Sequence, residues 1–168
     1  MKNIMKEQIE KLFINPQYVM GNGLWMSGYE GVGELRKFWD NGVMSLSSQF
    51  KNGKENGRCK VWHKNGNLWM SYYNEDGMKK GKFISWYESG KFRSICWYVY
   101  SNREGKFEEY YENGNLCFHC WYKKDLKNGE YTSWNENGKL KEHSWYKNGY
   151  EIADFIKYPE LKKKYSVK

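Results

Sequence analysis

The sequence predicts an all-β protein: an elongated single-layer antiparallel meander of 24-residue β-hairpin repeats, with a short N-terminal helix as its cap. Three observations predict it. First, Gly33, Gly57, Gly81, Gly105 and Gly129 stand 24 residues apart without insertion, and nine residues after each comes Gly42, Gly66, Gly90, Gly114 or Gly138. An internal period of this size marks a stacked repeat architecture. Second, aromatic residues make up 19% of the 168-residue chain while its mean hydropathy is −1.00. That combination suits a thin sheet, in which large rings, each burying roughly 150–250 Å², cover backbone while polar neighbours face water. Third, aromatic segments with almost no proline run into Asn-Gly pairs, the pattern of strands joined by hairpin turns.

Within the repeat, positions are counted from the first glycine. Position +2 holds Leu35, Cys59, Phe83, Phe107 and Tyr131; position +5 holds Phe38, Trp62, Trp86, Tyr110 and Trp134. Position +11 is apolar (Met44, Leu68, Phe92, Leu116, Leu140), and position +16 holds Gln49, Tyr73, Trp97, Trp121 and Trp145. Asn41-Gly42, Asn65-Gly66, Ser89-Gly90, Asn113-Gly114 and Asn137-Gly138 read as the centres of two-residue turns, since Asn and Gly tolerate positive φ best. Such turns place Trp39 opposite Met44, Tyr87 opposite Phe92 and Tyr111 opposite Leu116, on one sheet face with Phe107, Phe118 and Tyr122. The other face then carries Trp86 and Trp134 with Trp97, Trp121 and Trp145, set among Lys, Glu and Arg. A one-residue bulge would move residues between the faces. The second connection, near Asn52-Gly53, Asp76-Gly77 and Asn148-Gly149, is expected to be longer and looser.

Taken in order, residues 1–16 are expected to form a helix that caps the first hairpin, the alternative being a partner-binding or membrane-surface helix: Met5, Ile9, Leu12 and Phe13 share one helical face, and Asn15-Pro16 ends it. Residues 17–32 read as a degenerate half repeat, with Trp25 at the +16 phase. Its Gly-x-Gly lacks the βαβ context and the Lys-Ser/Thr of a phosphate loop. Residues 33–158 are five full repeats and the start of a sixth, with Ala153 in the glycine's place, Phe155 and Tyr158 at +2 and +5, and Pro159 stopping the strand. The basic tail 159–168 is a solvated charge run or a short helix that covers the last strand with Leu161 and Tyr165. Residues 157–168 hold five lysines against one glutamate, half of the chain's net charge of +8, so the body is only mildly basic.

Candidate chemistry is sparse. Cys117 and Cys120 are three apart on a strand and point to opposite faces, and no second Cys/His pair completes a zinc site. Cys96 and Cys120 stand two strands apart, about 9–10 Å, too far for a disulfide. His119 and His143 share a repeat position on one face, two strands apart. No nucleophile-and-base grouping appears, and acids such as Glu108, Glu109 and Glu112 recur with the repeat, where they pair across strands with Lys. No enzyme, cofactor, metal site or small-molecule substrate is therefore expected. With no N-terminal run long enough for a signal peptide and no transmembrane stretch, the expected setting is cytoplasmic. Candidate partner-binding residues are Trp62, Trp86, Trp97, Tyr110, Trp121, Trp134 and Trp145, expected to form one stripe along the sheet, because such residues dominate interface energetics.

The segment Gly105-Lys106-Phe107-Glu108-Glu109-Tyr110-Tyr111-Glu112-Asn113-Gly114-Asn115-Leu116 resembles the MORN repeat, in the variant form common in bacteria and large DNA viruses. The resemblance covers about residues 33–158. It implies an elongated antiparallel sheet that serves protein assembly or scaffolding, and some bacterial members of the variant family are labelled antitoxin components. The expected function is thus a non-enzymatic scaffold that binds other proteins, itself included, and in a large virus a component of the virion or viral factory. The alternatives are an antitoxin-like protein that neutralises a partner, and binding to an anionic membrane surface through the basic tail. Single-stranded nucleic acid is disfavoured by the acids interspersed along the repeats.

Overall fold

The computed structural model describes residues 31–165. The expected capping helix and nearly all of the half repeat lie outside the described residues. The rest is one open antiparallel sheet whose strands follow chain order. The strands are β1 (Val32–Phe38), β2 (Met44–Lys51), β3 (Lys54–Trp62), β4 (Leu68–Glu75), β5 (Met78–Lys79), β6 (Gly81–Trp86) and β7 (Phe92–Val99). They continue as β8 (Asn102–Arg103), β9 (Gly105–Tyr110), β10 (Leu116–Lys123), β11 (Leu126–Trp134), β12 (Leu140–Lys147) and β13 (Tyr150–Asp154). The two-residue strands β5 and β8 pair with β4 and β7 beside the main path.

The two kinds of connection are the reverse of the sequence expectation. The Asn-Gly pairs do not centre two-residue turns. In the first loop the Trp39 N–H donates to the Val43 carbonyl and the Gly42 N–H to the Trp39 carbonyl, with Gly42 at φ +81°. This is a three-residue loop ending in a left-handed glycine bulge. The extra residue slips the pairing by one: Phe38 stands opposite Met44, Trp86 opposite Phe92 and Tyr110 opposite Leu116, in place of Trp39, Tyr87 and Tyr111. The asparagines keep negative φ and act through their side chains. The Asn113 Oδ1 accepts the Asn115 N–H, and its Nδ2 donates to the Glu136 carbonyl of the next loop at 2.9 Å. Asn41 and Asn65 make the same bond to Lys64 and Glu88. Where Ser89 replaces asparagine, the Lys91 Nζ supplies the donor, to the Glu112 carbonyl.

The second connections are the tight ones. Asn52-Gly53, Asp76-Gly77, Tyr100-Ser101, Lys124-Asp125 and Asn148-Gly149 are two-residue turns with both φ values positive, the backbone of a type I′ hairpin. Two of these turns hold left-handed backbone without glycine. The Ser101 Oγ accepts the Lys79 N–H, and the Asp125 Oδ1 accepts the Arg103 N–H while pairing with the Arg103 guanidinium at 2.7 Å.

Two of the repeating first glycines, Gly57 and Gly129, stand against the +16 side chain before them, whereas nothing lies within 4 Å of a Cβ added at Gly81 or Gly105. At Gly129 (φ +129°) an added Cβ would stand 3.0 Å from the Trp121 Cβ, so the bare backbone seats the +16 side chain of the preceding hairpin. The register shifts across from it, between Cys120 and Tyr122.

One face of the sheet is packed. A row runs across it through Leu35, Ser48, Cys59, Tyr72, Phe83, Cys96, Phe107, Cys120, Tyr131 and Ser144, each opposite the next along the strand order where pairing is continuous. From Phe83 to Ser144 large and small residues alternate, and the small ones are buried, which lets the rings interdigitate; Tyr72 and Phe83 stand side by side and stack at 5.7 Å. Phe107 lies 5.2 Å from Phe118 and 6.0 Å from Tyr122, ring centre to ring centre. Where Ser48 and Cys59 place two small residues side by side, Glu55 fills the gap. It accepts the Ser48 hydroxyl and the amide of the buried Asn74. Burial pushes the Cys96 thiol up to about 11 and the Tyr122 phenol up to about 12, as expected where water is excluded.

The C-terminal end departs from the expected sixth repeat by one residue. Ala153 pairs with Trp145 and Asp154 with Ser144, so Asp154 occupies +2 and Phe155 falls on the opposite face, 4.8 Å from His143. The strand ends at Asp154, ahead of Pro159, and a 3₁₀ turn (Pro159–Leu161) leads into helix α1 (Lys162–Tyr165). The short-helix alternative for the tail is the one adopted, with Tyr165 set against Trp145 and Phe155.

Candidate binding face

The other face is open, and all seven candidate aromatics belong to it, in two rows in place of the single stripe expected. The +5 row, Trp62, Trp86, Tyr110 and Trp134, lies beside the three-residue loops and is half-buried. The bulged loops bring the +11 residues onto it: Phe92 lies 5.2 Å from Tyr110, while Trp134 meets His119 at 5.6 Å. Hydrogen bonds hold this row from one hairpin to the next. The Tyr111 hydroxyl donates to the Trp134 carbonyl at 2.9 Å, Tyr87 to Tyr110 and the Trp39 indole to Trp62. Position +6 is thus a backbone clamp, where the sequence suggested a face residue.

The +16 row lies four residues further along the strands, about 13 Å away. Its members stand directly opposite position +1: Tyr73 opposite Arg58, Trp97 opposite Lys82, Trp121 opposite Lys106 and Trp145 opposite Glu130. Tyr73, Trp97 and Trp121 are 45%, 46% and 44% exposed, and Arg58, Lys82 and Lys106 are exposed with them. Three cations and three aromatics therefore alternate across six consecutive strands of the main path. Lys106 pairs with Glu108 at 2.6 Å, whereas Arg58 and Lys82 form no ion pair among the described residues. The Lys82 Nζ stands 5.8 Å from the Trp97 ring. Beside Tyr73 the surface forms an open notch of about 550 Å³ lined by Arg58, Lys82, Ile84 and the ion pair of Lys80 with Glu75.

Acids close the cationic row at both ends. Glu34, at +1 of the first repeat, is held by Arg36 and the Ser47 hydroxyl, and the Arg36 hydrogen bond lowers its carboxyl below the usual range. Glu130, at +1 of the last, pairs with the His143 Nε2 at 2.8 Å and lies 4.0 Å from the His119 Nε2. The shared histidine position thus brings both imidazoles to one carboxylate, which the sequence spacing did not suggest. The His119 Nε2 is buried and has no hydrogen-bond partner, and burial lowers its pKa from the ordinary value. A second groove of about 490 Å³ runs between Trp121 and Trp145 over Glu130, His143 and Phe155. Trp145 is half-buried and has Tyr165 beside it. Among the described residues no group of His, Cys, Asp or Glu is arranged to hold a metal ion, no helix is long and apolar enough to cross a membrane, and all four cysteines are free.

Sequence reasoning named Trp97, Trp121 and Trp145 but omitted Arg58, Lys82, Lys106 and Tyr73 from the candidate site. The signal was available, since position +1 recurs at the same 24-residue period as the aromatics.

The family model described as the MORN repeat variant matches residues 103–124 and 127–149. These two adjacent segments are MORN repeats of the variant type. The matched segments include Lys106, Trp121, Glu130, Trp134 and Trp145, so the C-terminal half of the open face is built from them. MORN repeats are generally associated with binding to proteins or membranes, and the family is generally a non-enzymatic binding repeat. No curated protein matches the chain.

Proposed function

We propose that this MORN-repeat sheet is a non-enzymatic protein-binding module that engages its partner with the +16/+1 row of the open face. The observation that carries this reading is the contrast in exposure: Tyr73, Trp97 and Trp121 remain nearly half exposed beside exposed Arg58, Lys82 and Lys106. Aromatic and arginine side chains are the ones that concentrate binding energy at interfaces. Single-stranded nucleic acid would find stacking platforms here, but Glu34 and Glu130 close the cationic row after three charges, too short a track for a phosphate backbone.

Site-specific photo-crosslinking tests the reading. A benzophenone side chain placed at Trp97 in the native cell should yield a discrete protein adduct that the same probe at Lys139, exposed in a loop, does not. An adduct at twice the chain mass would identify the partner as a second copy. Crosslinks to lipid or nucleic acid alone, or equal adducts at both positions, would overturn the reading.

A further inference from the structure

We propose that the row from Arg58 to Trp121 receives an acidic, proline-rich segment of a partner protein in polyproline II conformation, lying across the strands with its three-residue turn in step with the repeat. The proposal rests on the protein-binding reading above and names the class of partner. Its first support is dimensional. Neighbouring strands are about 4.7–4.9 Å apart, so equivalent residues of successive hairpins recur every 9.4–9.8 Å or so. A polyproline II helix rises about 3.1 Å per residue with three residues per turn, so every third side chain recurs at about 9.3 Å. Neither an extended strand, whose side chains on one face recur at about 6.6 Å, nor an α-helix, with a pitch of about 5.4 Å, repeats in that step.

The second support is chemical. Aromatic walls on a sheet are the surface on which polyproline segments dock, because the ligand is already ordered and loses little entropy. Tyr73, Trp97 and Trp121 supply three such walls, and the notch beside Tyr73, floored by Ser71 and Ile84, is open enough to admit a pyrrolidine ring. Arg58, Lys82 and Lys106 lie directly opposite the three aromatics. A carboxylate at every third ligand position would meet each cation in turn while the intervening prolines lie against the rings. The acids Glu34 and Glu130 at the two ends bound the complementary stretch. From Arg58 to Trp121 the row crosses five strand spacings, about 24 Å, which about eight residues of polyproline II span.

The test is fluorescence anisotropy with a labelled twelve-residue peptide of four Pro-Pro-Glu triplets and the full-length chain. Saturable binding is expected. Trp97→Ala and Trp121→Ala should each weaken it tenfold or more, whereas Trp62→Ala, in the other row, should leave it within twofold. A peptide of the same composition with glutamates two and four residues apart should bind at least tenfold less tightly. The triple reversal Arg58→Glu/Lys82→Glu/Lys106→Glu changes only exposed side chains. It should abolish binding and gain binding to four Pro-Pro-Lys triplets, which shows that the variant is folded. Equal affinity for the shuffled peptide, or no switch in charge preference, would overturn the proposal. If the peptide fails while the benzophenone at position 97 still captures a protein, the polyproline proposal fails and the protein-binding reading stands. If the peptide fails and oligo-dT or phosphatidylserine vesicles bind with the same tryptophan dependence, both fail.

Discussion

The two faces of the sheet use the same side chains in opposite ways. On the packed face a cation two residues before the first glycine lies over tyrosine rings of its own chain. Arg103 stands 4.0 Å from the Tyr122 ring centre, Lys127 stands 4.0 Å from Tyr131 and 4.6 Å from Tyr146, and Lys79 covers Tyr72 and Tyr98. On the open face the cation stands one residue after the glycine, beside its aromatic, and both stay exposed. In a single-layer sheet neither face has a second layer to bury it, so the chain closes one face with its own long basic side chains. What the packed face satisfies internally, the open face leaves exposed.

The largest effect should come from breaking the packed face. Phe107→Ala removes the ring that meets Phe118 and Tyr122 and should cost about 3 kcal/mol. Trp97→Ala removes a larger ring that is already 46% exposed and should cost about 1 kcal/mol. Urea midpoints of the two variants decide it. Equal losses would mean that both faces are equally structural, and the functional reading of the open face would lose its basis.

A second test sharpens the link between backbone and open face. Gly129→Ala and Gly138→Ala both place a side chain at positive φ, at a cost of about 1–2 kcal/mol each. Only Gly129→Ala also forces a methyl against Trp121, since the space at Gly138 is empty. It should be the more destabilising of the pair and should shift the tryptophan emission, whereas Gly138→Ala should leave the spectrum in place. Matching losses with no spectral change would mean that the glycine serves only the backbone bulge.

How much of this was legible in the sequence divides along the same line. The 24-residue period placed the strands and put Trp97, Trp121 and Trp145 with Trp86 and Trp134 on one face, because period and alternation are local properties. The turn geometry was not legible, because Asn-Gly is compatible both with a two-residue turn and with the last two residues of a three-residue bulged loop. Asn113 could reveal its role only once its amide was seen to reach the Glu136 carbonyl in the next hairpin. That one-residue difference exchanged Tyr111 for Tyr110 opposite Leu116 at the loop end, whereas the two rows follow from the four residues between +1 and +5, a spacing that either turn leaves in place. The covering cations were missed although Glu55, Lys79, Arg103, Lys127 and Glu151 recur in phase. Their logic emerges from contacts. Glutamate occupies the position where Ser48 or Ser144 offers a hydroxyl, and a cation where tyrosine rings lie beneath it.

The covering role predicts a smaller difference between two lysines that composition alone makes equivalent. Lys127→Ala uncovers Tyr131 and Tyr146 and should cost about 1 kcal/mol. Lys82→Ala, exposed beside Trp97, should change stability by less than about 0.5 kcal/mol. Thermal unfolding in low and high salt separates the cases. Indistinguishable melting temperatures would mean that the packed face is not closed by its cations.

The smallest expected effect concerns pH and the acid that ends the cationic row. His119 faces Glu130 and Glu108, the Lys106 ammonium and the His143 imidazole, and burial holds its pKa below the usual histidine value despite the carboxylates. Its folded pKa is therefore the lower one. As pH falls the unfolded chain takes up this proton first, so the stability contributed by neutral His119 is complete above about 6.5 and is lost as pH drops through the folded value. The orphaned Nε2 supplies the structural cause: the neutral ring is accommodated in a site that offers a new charge no hydrogen bond, with the nearest carboxylate oxygen 4.0 Å away. Melting temperatures of the parent and of His119→Gln between pH 7.5 and 5 measure the difference. The parent should lose stability more steeply, and the two curves should converge near neutrality apart from a constant offset. Parallel curves would show that His119 titrates alike in the folded and unfolded chains, and the acid end of the open face would then carry no pH dependence through this residue.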